Sequence, residues 1–266
     1  MNSLAGLSGL TPILMIVIFA YLYAMGGRDE PRANLVKTFL LGVIGLFVGV
    51  FVGFPMRLLD ARSVMPFADA LLASIVFATI PGELVKLVIV NYYCQRLRSF
   101  KSLPAGIIYG GVAALGFTLA DHITFAAPEL WFVSTVRVLI AAPLHVITGG
   151  VMGYALAQRM FVRDSRWTIA KGWALGVATH SIFNLLWLTA GLYRANHGTS
   201  WIILNGFPII AIGLVVILGG WITRKLRQTR LAQLLQVASH APIESVTEPT
   251  FLQRLKEAAD RSDESE

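Results

Sequence analysis

The chain has 266 residues, of which 56% are hydrophobic and only 14% charged, and its mean hydropathy is +0.67. A soluble globule carries about a quarter charged residues, so the composition excludes a soluble protein and points to a polytopic membrane protein. The net charge of +7 sits mostly between apolar runs, which makes nucleic acid a poor partner and leaves topology and anionic lipid headgroups as better reasons for it.

A spanning helix needs about 20 mostly apolar residues, and stretches at roughly 10–26, 35–55, 68–93, 104–126, 131–157, 169–191 and 201–223 qualify. The expected fold is all-α, a membrane bundle of about seven transmembrane helices, because open strands cannot satisfy their backbone in lipid. The first apolar run has no basic segment ahead of it, so no cleaved signal peptide is expected. Short polar connections separate the spans, among them GGRDEPRAN, RLRSFKS, RDSRWT and YRANHGTS. Positive charge alternates along them. Arg28, Arg32 and Lys37, then Arg96, Arg98 and Lys101, then Arg159, Arg163, Arg166 and Lys171, then Arg224, Lys225, Arg227 and Arg230 fall on one side. Only Arg57, Arg62 and Arg194 fall on the other. The bias places the N-terminus outside and the C-terminus in the cytoplasm. The single cysteine, Cys94, excludes an intrachain disulfide and a cysteine-based zinc site.

Two regions are expected: a transmembrane domain over residues 1–223, with its polar core at about 68–191, and a cytoplasmic tail over 224–266. The tail begins with RKLRQTRLAQLLQVA, which either extends the last helix or lies on the membrane surface. It ends in EAADRSDESE, acidic and expected to be disordered.

The informative residues are the polar ones inside the spans. The third span holds Glu83 and Lys86, the fourth Asp121 and His122, the fifth Arg137 and His145, and the sixth His180 and Asn184. Three of the five histidines are thus in spans, where an ionisable group is expensive and rarely lacks a partner or a task. Glu83, His145 and His180 each lie about 10–15 residues into their spans, near mid-membrane. Asp121 and His122 lie nearer the outer end. Four antiparallel helices could bring these groups to one polar cavity. His180 and Asn184 share a helical face, as do Glu83 and Lys86. For the second pair the plainer reading is a structural ion pair with Lys86 snorkelling toward the cytoplasmic end. Arg137 suits an interfacial anchor or a carboxylate partner as well as a catalytic group. Pro81 and Gly82 precede Glu83, and Pro143 precedes His145, so helix distortion adjoins the ionisable residues.

A carboxylate beside a histidine can hold a water and take its proton. Glu83 would be that base, with Asp121 or His122 helping to hold the water. His180 and Asn184 would face the oxygen of an attacked carbonyl. Glu83, His122, His145 and His180 could instead bind a divalent metal such as zinc. No HExxH and no GxSxG occurs, so neither a zincin nor a serine nucleophile elbow is supported. The same buried acids and histidines would also serve a proton-coupled carrier, although no inverted repeat is evident. A seven-helix lipid or amide hydrolase is a third reading. A retinal protein is disfavoured, since the last span has no lysine.

Four segments, in order, resemble the PrsW family of intramembrane proteases, and more distantly the type II CAAX prenyl endopeptidase and abortive-infection-like superfamily. PGELVK matches a proline, acid and lysine motif at Pro81, Glu83 and Lys86. GFTLADH matches a second motif at Gly116 and Phe117, with Asp121 and His122 at its acid and amide positions. Arg137, Pro143, His145, Gly153 and Tyr154 match a third, and His180 and Asn184 a His-x-x-x-Asn fourth. The resemblance implies a multi-pass enzyme of the bacterial cytoplasmic membrane that cuts membrane-anchored protein substrates. It also implies catalytic roles for Glu83, Asp121, His122, His145, His180 and Asn184, supported by Lys86 and Arg137. Gly82 stands where the family has the first glutamate of a pair, which leaves an inactive relative as the alternative.

Overall fold

The structure, a computed structural model, describes residues 10–60, 71–72, 74–124, 131–162, 168–197 and 201–240. Among them every regular element is helical: α1 (Leu10–Met25), α2 (Arg32–Asp60), α3 (Ile80–Val88), α4 (Leu103–Thr124), α5 (Trp131–Phe161), α6 (Ile169–His197) and α7 (Trp201–His240). A 3-10 turn, Gly27–Asp29, joins α1 to α2. The helix α3 is bracketed by π-helical turns at Ser74–Thr79 and Ile89–Tyr93 and closes in a 3-10 turn at Cys94–Arg96.

Among the described residues, four stretches are long and apolar enough to cross a membrane: Arg32–Phe51, Leu103–His122, Leu139–Phe161 and Ile209–Leu235. The chain is therefore an all-helical membrane protein. Its outer surface agrees, for Ile16, Phe51, Ile209 and Ile217 are large, apolar and exposed, as hydrocarbon surroundings require.

The centre is the α4–α5 pair, where each spanning window is 89% buried against 33% and 17% for the windows in α2 and α7. Glycines make this pair. A Cβ on Gly106 or Gly110 of α4 would run into the carbonyl of Gly153 or Gly149 of α5, and the reverse substitutions would meet the same obstacle. Small residues at four-residue spacing let two backbones approach until packing and weak polar contacts hold them in lipid. On the other side of α4, Gly116 lies on the Phe39 carbonyl and Gly42 of α2 lies on that of Ala113. The central helix is thus close-packed on two faces, with Tyr109, Val112 and Leu115 fully buried. Cys94 is also fully buried, against Thr38, its Sγ 3.9 Å from the hydroxyl, so it serves in packing.

One polar cluster ties the first and third connections to the same end of the bundle. Asn34 Nδ2 donates to Ser99 Oγ (3.2 Å), and Ser99 Oγ is 2.6 Å from the Tyr109 hydroxyl. Glu30 is buried beside them, and its Oε2 has no hydrogen-bond partner among the described residues. Burial raises its pKa, Asp29 adds to the rise, and the two hydroxyls oppose it.

The chain divides into two compact units after Leu226. In the second, residues 227–240 are helical, so RKLRQTRLAQLLQVA belongs to α7, the first of its two readings. The acidic end, EAADRSDESE, lies outside the described residues.

Candidate active site

Pro81 has no N–H to give the carbonyl four residues back, and a π turn, by widening the loop, shifts that carbonyl toward later donors. The sequence TIPGE accordingly runs from a π turn into α3, and Glu83 and Lys86 lie in the first two turns of the α-helix. Both side chains are fully buried. Lys86 does not snorkel. Its Nζ turns into the bundle, 2.5 Å from Glu83 Oε1, 3.1 Å from His145 Nδ1 and 3.3 Å from Thr148 Oγ1. An ammonium in hydrocarbon is stabilised far better by a buried carboxylate and two further acceptors than by a distant interface.

His180 of α6 reaches the same carboxylate, with Nδ1 2.8 Å from Oε1. His145 of α5 lies with its ring centroid 4.6 Å from that of His180, edge to face. Hydrogen-bond balance sets the two rings in opposite tautomers. A carboxylate oxygen only accepts, so His180 carries its hydrogen on Nδ1 and leaves Nε2 as an acceptor. An ammonium only donates, so His145 accepts at Nδ1 and carries its hydrogen on Nε2. Thr148 lies one turn past His145, its hydroxyl 3.0 Å from the His145 carbonyl and 3.5 Å from Glu83 Oε1. Glu83 Oε1 is thus crowded with partners, whereas Oε2 is buried and has none among the described residues. A Cβ on Gly176 of α6 would lie 3.3 Å from Oε2, so a glycine there keeps that oxygen open.

Phe117 of α4 forms one wall. Its ring is 5.3 Å from Lys86 Nζ and 5.8 Å from the His145 ring. It also fills the space beside Gly82, where a Cβ would come within 3.1 Å of the ring tip. Asn184 of α6 donates from Nδ2 to Thr79 Oγ1 (2.9 Å) at the end of the π turn.

Glu83, Lys86, His145 and His180 therefore meet in one buried cluster, with Asn184 one helical turn from His180. Asp121 and His122 are half-buried on α4. Arg137 falls within α5, but its side chain lies outside the described residues. Glu83, His145 and His180 form a possible metal-ligating set, one ligand atom from each lying within 4.8 Å of the others; His122 is not part of it. Glu83 Oε2 and His180 Nε2 are open acceptors that suit a divalent cation, and His145 would join them as an imidazole ligand by giving up its contact with Lys86. Sequence reasoning overlooked Thr79 and Thr148. Their only signal was spacing: four residues before Glu83 and three after His145, on the same helical faces.

A family profile described as PrsW family intramembrane metalloprotease matches residues 30–218. Curated relatives include Protease PrsW of Geobacillus kaustophilus, 23% identical over 177 residues, covering 65% of this chain and 76% of the relative. Protease PrsW of Halalkalibacterium halodurans is 24% identical, covering 68% and 83%, and that of Clostridioides difficile is 29% identical, covering 50% and 56%. No solved structure matches. With most of its length under the profile, the chain belongs to the PrsW family of intramembrane metalloproteases.

Proposed function

We propose that the chain is an intramembrane endopeptidase that cleaves membrane-anchored protein substrates by water attack at Glu83. The observation that carries this is the asymmetry of a fully buried carboxylate: Oε1 is held by Lys86 and His180, and Oε2 is unpartnered. An anchored carboxylate with one open oxygen is suited to take a proton from water. The hydroxide so formed attacks the peptide carbonyl carbon. Asn184 Nδ2 and an imidazole N–H donate to the oxyanion that develops. The proton on Glu83 then passes to the amine as the C–N bond breaks. Lys86, Phe117 and Thr148 hold the acid and the imidazoles in place and exclude bulk water.

Glu83, His145 and His180 would hold a divalent metal such as zinc. When bound, such an ion supplies Lewis acidity toward the carbonyl and lowers the pKa of water. Asp121 and His122, on the partly open side of α4, would help to hold the water, and Arg137 would anchor the outer end of α5. We place the protein in the bacterial cytoplasmic membrane with seven spans, N-terminus outside and C-terminus cytoplasmic, on the strength of its basic connections. With Gly82 preceding it, Glu83 would act as the sole glutamate of the site.

The test compares native membranes carrying wild type with membranes carrying Glu83→Gln at equal expression, by N-terminal proteomics. New termini in or near membrane spans that occur only with wild type are the expected result, and they name the substrates. Identical profiles would remove the protease reading in favour of an inactive relative.

A further inference from the structure

The helices carrying the acid and the second histidine are joined by two polar rungs. Glu83 meets His180 (2.8 Å), and Thr79 meets Asn184 (2.9 Å). In each helix the two residues are four apart, so they stand on one face about one turn from each other. Thr79 is fully buried. Its hydroxyl differs in use from two other buried threonines: Thr38 and Thr118 donate to the carbonyl four residues back in their own helices, whereas Thr79 accepts from across the interface. It is also the last residue of the π turn that precedes Pro81, so the path of that turn sets where the hydroxyl stands.

We infer that Thr79 is a positioning residue for Asn184. The terminal torsion of an asparagine side chain is broad, and its two ends carry opposite hydrogen-bonding character. A rotated amide would present its oxygen, instead of N–H, to a developing oxyanion and repel it. By accepting one Nδ2 hydrogen, Thr79 fixes the amide plane and leaves the second N–H for the substrate carbonyl. The π turn, Pro81 and Glu83 thereby act as one device: the segment that carries the base also aims the donor on the facing helix. This rests on the protease reading given above.

The test uses the full-length protein in proteoliposomes with a single-span substrate identified from native membranes. Loss of one hydrogen bond that acts in the transition state should lower kcat for Thr79→Val about ten-fold while KM changes less than about two-fold. Thr79→Ser, which keeps the oxygen, should retain wild-type kcat. Thr79→Val combined with Asn184→Ala should be no slower than Asn184→Ala alone, because the two residues act through one group. Wild-type kcat in Thr79→Val, equal losses in the valine and serine variants, or additive losses in the double variant would each overturn the inference while leaving the protease reading intact. A wild type as inert as Glu83→Gln would remove both.

Discussion

His180 Nδ1 lies 2.8 Å from Glu83 Oε1, a contact between residues 97 positions apart in the chain. The carboxylate fixes the imidazole's tautomer, and the imidazole leaves the second carboxylate oxygen as the reactive one. Residues that act as a unit are not additive when removed. Glu83→Gln and His180→Ala should each lower cleavage at least about a hundred-fold, and the double variant should be little slower than either. The measurement is product formed per mole of protein that runs monodisperse in detergent, which separates chemistry from misfolding. Activity within a few-fold of wild type in either variant would remove that residue from the mechanism.

The ion pair beneath this contact governs stability. Lys86 and Glu83 are both fully buried. Removal of one partner leaves an uncompensated charge in a low-dielectric interior, at a cost of about 3–5 kcal/mol, whereas neutralising both is far milder. Lys86→Met should therefore melt well below wild type in detergent, and Lys86→Met with Glu83→Gln should recover much of the loss. Lys86→Arg should not substitute, since the planar guanidinium is larger and Phe117 closes the space around Nζ. A double variant no more stable than Lys86→Met would show that the charge left on Glu83 is not what destabilises the single variant.

The metal set yields a prediction with a direct readout. Zinc content of the purified protein should fall in His145→Ala and in His180→Ala and persist in His122→Ala, since His122 is not among the three grouped residues. Cleavage should be lost on chelation and return with added zinc. Equal zinc in all three variants would place any bound ion elsewhere.

Much of this was legible in the sequence because lipid makes polar residues expensive. Glu83, His145 and His180 stand out in apolar runs without any structural knowledge, and the long apolar windows of α2, α4, α5 and α7 are read by hydropathy alone. What hydropathy does not carry is azimuth. Spacing of three put Lys86 beside Glu83, but the inward turn of its side chain depends on His145 and Thr148, which arrive from another helix. His122 stands apart from the grouped ligands, in keeping with its place nearer the outer end of its span. Thr79 and Thr148 were missed because a threonine in an apolar helix commonly hydrogen-bonds its own backbone, as Thr38 and Thr118 do. The π turns escaped because apolar periodicity over a few residues does not distinguish them from α-helix.

The glycine contact between α4 and α5 positions His145 against the other groups. Gly110→Leu would drive a side chain into the Gly149 backbone, an obstacle that cannot rotate away. The two helices would have to part, and His145 and Thr148 would move with α5. Overpacking of this kind typically costs several kcal/mol. The expected outcome is a steep loss of monodisperse protein and of any cleavage. Gly220→Leu, where nothing stands within 4 Å of the added carbon, should leave both near wild type. Equal behaviour of the two variants would mean that the close approach does not organise the bundle.

Glu30 supplies a pH dependence outside the spans. Burial, with a smaller contribution from Asp29, raises its carboxyl pKa in the folded protein, against the hydrogen bonds from Tyr109 and Ser99. Over the interval between the ordinary carboxylate value and the raised one, the folded state holds a proton that the unfolded chain has released. Stability therefore falls as pH rises through that interval, and the contribution is fully present only below it. A glutamine at this position keeps a hydrogen-bonding head group and has no charge to bury. Glu30→Gln should raise the melting temperature by a few degrees at about pH 7.5, and the gain should vanish at about pH 3, where the wild-type carboxyl is neutral in both states. The check is a pair of melting curves for each protein in one detergent at the two pH values. A destabilised glutamine variant at neutral pH would mean that the ionised carboxylate accepts enough from Ser99 and Tyr109 to outweigh its burial.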